Sequence, residues 1–294
     1  MNTSNRMSGA IVIEANNSNA NGDPDGDGPR IDPLGYGWIS YMAFRAKFRN
    51  VLEDAENPVA KYLFETLKLD PEQYRIFESR AKGFPGADGL NALKMLTQYV
   101  KENGNEGLLK RYWDIRLFGT TALEEKGTDA VKFTRTGCLQ ISHLFTVHPV
   151  EVISATIAKK APLDAKNAEA GNGTFGNQAL RFVRHGLYVG SYNFNPGDAY
   201  KTGATSEDLE LFKMLAPRAF ELCPSAARTG VRTVAVFHAE HSSPIGSFNV
   251  SAFLDACRPK VKEGVESPLS LADYDMPSLD AINSVPGVNA VQLS

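Results

Sequence analysis

The sequence is poor in cysteine and has no long run of hydrophobic residues. Its 294 residues include only three cysteines, Cys138, Cys223 and Cys257, far apart in the chain. Such an odd and scattered set predicts neither a zinc knuckle nor a disulfide framework. No apolar run approaches the roughly 18 residues that a transmembrane helix needs, and the first residues lack the apolar segment of a signal peptide. These absences predict a cytoplasmic protein with no membrane partner.

A strong excess of charge is also absent. The 31 Lys and Arg residues nearly balance 34 Asp and Glu residues, and 43% of the chain is hydrophobic, as in ordinary globular proteins. This balance does not by itself indicate nucleic-acid binding. Five windows nevertheless contain eleven Lys or Arg and no Asp or Glu, namely residues 33–52, 130–150, 152–163, 171–197 and 222–239. These basic residues either fold onto one side as a positive groove or lie scattered and solvated.

The short motifs that mark common enzyme classes are missing too. The sequence has no GxSxG motif, no Walker loop and no dinucleotide-binding fingerprint. The Gly-rich "GNGTFG" does not lead from a strand into a helix, as a dinucleotide loop must. His238 and His241 are too close together for the HExxH zinc motif, and the five histidines are interpreted as strand-end or core residues.

The most unusual stretch is "NANGDPDGDGPRID", in which four aspartates alternate with Gly and Pro. An EF-hand loop that begins at Asp23 requires Glu at its twelfth position, where Leu34 stands. A two-metal nuclease site requires acidic or His partners that the rest of the sequence does not supply. A third interpretation is a tight turn whose backbone N–H groups bind phosphate oxygens. The aspartates then orient the turn or bind Arg30.

Hydrophobic periodicity predicts the first elements of the fold. Residues 10–17 form a short buried strand with a β-branched centre, followed by the Gly/Pro/Asp-rich loop. Ser40 is a plausible N-cap for a helix. The apolar face of that helix comprises Tyr41, Phe44, Phe48, Val51 and Leu52. Arg45 and Arg49 lie beside this face and Lys47 lies on its other flank, so we expect a packed helix with a basic rim.

The remaining pattern predicts an α+β fold. Residues 54–120 are largely helical, strands resume near Cys138, and a Gly/Asn/Ala loop spans residues 161–180. Thr205 and Asp208 resemble a capping box that opens a helix, which a later proline should kink. Without its two insertions the order is βαββαβ, the RRM/ferredoxin-like unit whose open sheet face commonly binds RNA.

Several segments together resemble a known family. The aspartate-rich loop with the basic helix is similar to the opening of the backbone subunit of CRISPR type I Cascade complexes. Among members of this RAMP superfamily, the type I-C subunit is the most similar. Later segments follow in the same order, namely "DIRLFG" (114–119), "TGCLQIS" (136–142), "HGLYVGSYNFNP" (185–196), "TGATSEDLELF" (202–212), "CPSAARTGVRTVAVFHAEH" (223–241) and "PIGSFN" (244–249). The similarity extends from about residue 8 to residue 265.

The resemblance implies a division of the chain. It comprises an RRM-like palm (8–53 and 138–265), a helical finger insertion (54–137) and a thumb excursion (150–181). The similarity fades after residue 265, where a Pro-, Ser- and Asp-rich composition predicts a C-terminal tail (266–294) that is surface-docked or mobile. It also implies a non-catalytic subunit that polymerises head to tail along a CRISPR guide RNA and presents the guide to a target DNA strand. Other Cascade subunits are implied partners, and no cofactor or metal is implied.

The basic helix beside the Gly-rich turn suits contacts with an RNA backbone, since a protein that accepts every guide must avoid reading bases. The predicted RNA-binding residues are Asn19, Asn21, Gly22, Arg30, Arg45, Lys47, Arg49, Arg135, Gln140, Lys159, Lys160, Phe175, Arg181 and Arg228. Phe175 either wedges between nucleotides or anchors its loop on the palm.

One alternative function stays open at this point. Related backbone subunits of type III complexes cut bound RNA with a metal and a loop aspartate. The corresponding candidates here are Asp23, Asp25 and Asp27, which gives a metal-dependent ribonuclease as the alternative to a non-catalytic scaffold.

Overall fold

The described residues include twelve strands, some short and some long. In chain order, β1 to β12 are Met7–Ser18, Trp38–Ile39, Gly119–Lys126, Asp129–Thr136, Leu139–Ile141, Leu144–Thr146, Val152–Ala158, Phe175–Phe194, Val231–Glu240, Lys260–Val261, Tyr274–Asp275 and Ala290–Gln292. The structure is a computed structural model that describes residues 4–26, 28–78, 92–126, 129–158 and 175–294.

Eight of these strands form one antiparallel sheet. Its order is β12-β9-β1-β8-β6-β2, and β5 and β7 also pair with β8. β8 is 20 residues long, so its first half pairs with β7 and its second half with β1. The first strand, β1, therefore lies at the centre between two strands from the second half of the chain. The predicted α+β class is confirmed.

Most of the helices pack against this sheet, and one packs with a separate hairpin. In chain order, α1 to α8 are Tyr41–Leu52, Pro58–Leu67, Ala92–Arg111, Trp113–Phe118, Pro196–Thr202, Ser206–Leu215, Val250–Ala256 and Leu279–Asn283. Ser40 caps α1 by accepting a hydrogen bond from the Ala43 N–H at 3.1 Å. The Thr205–Asp208 capping box of α6 is present, as predicted. α6 ends at Leu215 and continues as a 3₁₀ turn through Pro217, so the proline ends the α-helix instead of kinking it.

Side chains of β1 alternate between two cores, one on each face of the sheet. Ile11 and Ile13 pack with Phe44 and Phe48 of α1 in the first core. Val12 faces the opposite way into a second core. Because successive strand residues point to opposite faces, a strand buried on both sides reads as the continuous apolar run found in this sequence.

The C-terminal region covers the second face. Phe253 of α7, Tyr274 of β11 and Ile282 of α8 are buried against this face. β12 adds to the edge of the sheet, where Ala290 pairs with Ala239. Of the two predicted states of the tail, the docked one is found. The expectation of an open sheet face is wrong for this part of the sheet, because α7, α8 and β11 occupy it.

A β-hairpin follows α4 where the sequence pattern predicted no strands. β3 and β4 pair from Gly119↔Thr136 to Lys126↔Asp129. Val131 and Phe133 of the hairpin pack with Leu108 and Tyr112 in a third, smaller core. The predicted helical region thus ends at α4, and the boundaries of a finger unit stay a prediction.

Candidate nucleic-acid interface

The Gly/Asp-rich loop is tied to the start of α1 by its own backbone. The Arg30 N–H donates to the Asn21 carbonyl at 3.0 Å, and the Trp38 N–H donates to the Arg30 carbonyl at 3.0 Å. The Asn21 side-chain oxygen accepts from the Ser40 N–H at 2.8 Å. Asn21, a predicted RNA-binding residue, therefore positions the loop against the N-terminus of α1.

The described aspartates of this loop support its turns. Asp23 accepts from the Asp25 N–H at 3.2 Å, and Asp32 accepts from the N–H groups of Leu34 and Tyr36 at 2.9 Å. This agrees with aspartates that orient a turn. Asp27 lies outside the described residues.

Arg30 has a different environment from the one proposed for it. Its Nε donates to the Gly22 carbonyl at 3.2 Å, and its guanidinium lies 4.6 Å from the centre of the Trp38 ring. Within the described part of the chain it forms no ion pair with an aspartate of the loop. That alternative therefore finds no support among the described aspartates.

Arg45 is buried beside aromatic rings on one flank of α1. Its guanidinium lies 4.8 Å from the ring of Tyr41 and 4.9 Å from that of Phe118, and its Nη2 donates to Gln140 at 3.2 Å. Only 8% of the residue is exposed, and its Nε has no hydrogen-bond partner. Burial, followed by repulsion from Arg49, lowers the pKa of Arg45 to about 10.

Lys47 lies on the opposite flank of α1, as the helical spacing predicted. It is buried there. Its ammonium lies 5.3 Å from the Phe220 ring, and the residue is 6% exposed. Burial, followed by repulsion from Arg228, lowers the pKa of Lys47. Asn19 approaches the turn that carries Arg228, because the Asn19 N–H donates to the carbonyl of the neighbouring Ala227 at 2.7 Å. Its buried side-chain oxygen has no hydrogen-bond partner.

Arg49 differs from these two cations because it is already paired. Its Nε lies 3.1 Å from a carboxylate oxygen of Asp114, and its Nη2 lies 3.6 Å from Glu78. Burial raises the pKa of Asp114, and Arg49 opposes this shift. Asp114 also accepts from the Phe77 N–H at 2.8 Å. The guanidinium of Arg49 is therefore part of a structural ion pair.

The other predicted residues are only partly gathered around α1, where Gln140 accepts from Arg45 and Arg228 repels Lys47. Arg135 of β4 lies 3.4 Å from Glu106, and Arg228 donates to Ser225 at 3.2 Å. Arg181 is exposed, and its stem would meet a side chain placed at Gly28. Lys159, Lys160 and the side chain of Phe175 lie outside the described residues, so their predicted roles stay predictions.

Three aromatic residues that the sequence reasoning missed lie next to this face. The ring of Trp38 is 5.2 Å from that of His143 and 6.3 Å from that of Phe145. His143 in turn lies 5.1 Å from Tyr41, the ring below Arg45. The signal was the apolar alternation in "GWIS" and "HLFTV", which places one aromatic of each strand on the same face.

The fold and this site define an α+β protein with a buried cation on each flank of one helix and aromatic rings beside both. The family model for CRISPR-associated protein Cas7 matches residues 5–278, and the chain belongs to this family. The resemblance found in the sequence is confirmed at this level.

Two solved structures are similar to the chain at low identity. A chain described as "CRISPR RNA-guided surveillance complex" is 16% identical with a TM-score of 0.48, and the match covers 98% of this chain and 87% of that one. Another, described as "CRISPR RNA-guided surveillance complex, pre-nicking", is 16% identical with a TM-score of 0.45, covering 80% and 78%. No curated protein matches the sequence. No helix in the described ranges is both long and apolar enough to cross a bilayer.

Proposed function

We propose that this protein is a guide-RNA-binding backbone subunit that polymerises head to tail along CRISPR RNA in a type I-C-like surveillance complex. It presents the guide for pairing with a target DNA strand. Family membership supports the coarser role, a crRNA-binding backbone subunit. The observation that carries the proposal is the pair of buried cations on the flanks of α1.

A buried cation is stable only with a compensating partner, because leaving water costs several kcal/mol per ion. Arg45 and Lys47 are buried, and within the described residues neither forms an ion pair with a carboxylate. Phosphate oxygens supply such a partner through charge-assisted hydrogen bonds. A phosphate bound on each flank of α1 explains the buried charges there. Phosphate contacts do not depend on the base sequence, as a protein that binds every guide requires.

The sheet supports an RRM-type palm. With β1 as the first palm strand, β5 to β7 as the second, β8 as the third and β9 as the fourth, the order across the sheet is 4-1-3-2 with antiparallel pairing. This is the order of the ferredoxin-like unit. In the proposal, α2 to β4 correspond to the fingers and the segment from β7 into β8 to the thumb.

The subunit is proposed to be non-catalytic. Asp23 and Asp32 accept hydrogen bonds from N–H groups of their own loop, which is a supporting role for a turn. The runner-up, a metal-dependent ribonuclease that uses Asp23, Asp25 and Asp27, is an outcome that the experiment below detects directly.

Polymerisation requires two different surfaces that meet in a heterologous, non-closing contact. Large apolar side chains are exposed at separate places in the chain, including Leu34 in the Gly/Asp-rich loop, Tyr200 in α5 and Ile245 after β9. Single exposed apolar side chains are ordinary on protein surfaces, so the proposal of head-to-tail polymerisation rests on the family resemblance and not on these residues.

The test compares a double variant, Arg45→Met/Lys47→Met, with the matched control Lys260→Met/Lys262→Met, whose lysines are exposed on the C-terminal region. Binding of a labelled guide RNA with CRISPR repeat ends is titrated against salt. Each lost phosphate contact should lower the salt slope by about 0.7 for single-stranded RNA, so the double variant loses about 1.4 and the control about zero.

The same reactions are run on denaturing gels with magnesium and a labelled complementary RNA. Intact strands and stepwise shifts support the scaffold. Regular cuts that disappear in Asp23→Ala/Asp25→Ala would identify a ribonuclease. Equal RNA binding by the two double variants would reject the flanks of α1 as the phosphate site.

A further inference from the structure

In the described part of the chain, the C-terminal region covers only part of the second sheet face. The C-terminal region covers the face over β9, β1 and the middle of β8, whereas β6 and β2 lie beyond β8. Phe145 of β6 pairs with Val189 of β8 on one side and Trp38 of β2 on the other. Directly paired residues share a face, and Val189 packs on the second core. Phe145 and Trp38 therefore lie on the same face as the C-terminal region, outside its cover.

We name Trp38, His143 and Phe145 the aromatic edge. Trp38 and Phe145 are nearly parallel, with 23° between the rings, whereas His143 meets both edge-on at 86° and 77°. Phe145 is 41% exposed, and His143 is exposed. An exposed aromatic cluster on a sheet is the arrangement by which RRM-type sheets stack unpaired bases.

Charge decides between nucleic acid and protein as the occupant. Arg30 lies over Trp38 without an ion pair among the described residues, and Arg45 lies over Tyr41 beside His143. Aromatic rings interleaved with unpaired cations fit a base with its phosphate, because rings stack the base while guanidinium groups hold the anion. An apolar patch of a second copy would leave these cations without a partner.

We infer that the aromatic edge stacks an unpaired base of the single-stranded nucleic acid that the protein binds. This inference rests on the proposed function. The base lies on the side of His143 that faces Trp38 and Phe145, and the phosphate at the α1 site lies on the side that faces Tyr41. Stacking accepts every base, because each has a π-face. The edge therefore holds a nucleotide without reading its identity.

The experiment measures affinity for two oligoribonucleotides of equal length, one with bases and one abasic, for the full chain and for Phe145→Ala. The expected result is about a 5- to 100-fold loss for the oligomer with bases, no change for the abasic oligomer and an unchanged salt slope. Phe145→Leu, which keeps apolar bulk but has no ring, should show the same loss. Tyr62→Ala, at an exposed aromatic residue of α2, is the matched control.

Fluorescence gives a second readout. The chain has two tryptophans, and Trp113 is fully buried. Quenching by the oligomer with bases should therefore come from Trp38 and disappear in Trp38→Phe.

The outcomes separate this inference from the proposed function. A full chain that binds neither oligomer overturns both. Salt-dependent binding that Phe145→Leu leaves unchanged for both oligomers overturns the stacking site alone. Reduced self-association of Phe145→Leu with unchanged affinity for short oligomers identifies the edge as a contact between copies, which also overturns it.

Discussion

In the described part of the chain, some buried cations have a carboxylate partner and others have none. Arg116 of α4 forms a two-point ion pair with Asp208, with N–O distances of 2.7 Å and 2.9 Å. It also donates to the Leu109 carbonyl at 2.8 Å. Arg45 and Lys47, equally buried, have aromatic rings beside them and no carboxylate partner in the described part of the chain.

The contrast shows that this fold does pair buried cations when they serve the structure. Arg116–Asp208 and Arg49–Asp114 join segments that are 92 and 65 positions apart. In the described part of the chain, the same fold supplies no carboxylate for the two buried cations on the flanks of α1. We therefore attribute these two cations to ligand binding, and the predictions below test whether the two groups really differ.

The largest effect is expected from breaking the structural pair. Arg116→Met leaves the Asp208 carboxylate buried without its cation, which should lower the free energy of unfolding by about 3–5 kcal/mol. Urea unfolding measures the loss. Lys201→Met removes an exposed cation that pairs with Asp198 at 3.2 Å, and it should cost less than about 1 kcal/mol. Equal losses in the two variants would show that the buried pair has no special role.

Replacement of Arg45 and Lys47, the cations that we assign to ligand binding, should change the free energy of unfolding in the opposite direction. Arg45→Met/Lys47→Met removes two buried charges but keeps the apolar stems, so the free energy of unfolding without RNA should rise by about 1 kcal/mol. Addition of guide RNA should stabilise the natural protein and reverse the order of melting temperatures. Thermal melts with and without RNA measure both effects. A double variant that is less stable than the natural protein without RNA would contradict our assignment.

The smallest effect concerns pH and Lys47. Its pKa is lower in the folded protein than its ordinary 10.5, so the folded state disfavours the charged form. The free-energy cost of holding Lys47 charged in the folded state is fully present below the folded-state pKa. This cost disappears as pH rises from that value to about 10.5. The stability gap between Lys47→Met and the natural protein should therefore narrow over this alkaline range. Chemical unfolding at several pH values measures it, and a gap that widens toward high pH contradicts the burial argument.

Local features of this fold could be predicted from the sequence because they depend on neighbouring residues. The β1 strand, the Ser40 cap and the Thr205–Asp208 capping box all follow from short-range patterns. The placement of Arg45 and Lys47 on opposite flanks of α1 follows from helical spacing alone.

Long-range features could not be predicted in this way. The residues near Arg49 in the sequence do not predict its ion pair with Asp114. The residues near β1 do not predict that the C-terminal region covers one face of the sheet. The β3–β4 hairpin was also missed, since its packing against α3 supplies the apolar contacts that its own sequence shows only weakly. Pairing and coverage across the chain decide which predicted residues remain available to RNA.

The central position of β1 has a consequence for how the protein is made. β1 is synthesised well before its two partner strands, which both come from the second half of the chain, and its Glu14 meets His185 from 171 positions further on. At about 5–20 residues per second, the ribosome needs roughly ten seconds or more to supply those partners. During that time an apolar strand has both edges unpaired, which is a hazard for aggregation. Pairing of β1 must therefore wait until β8 and β9 have been synthesised.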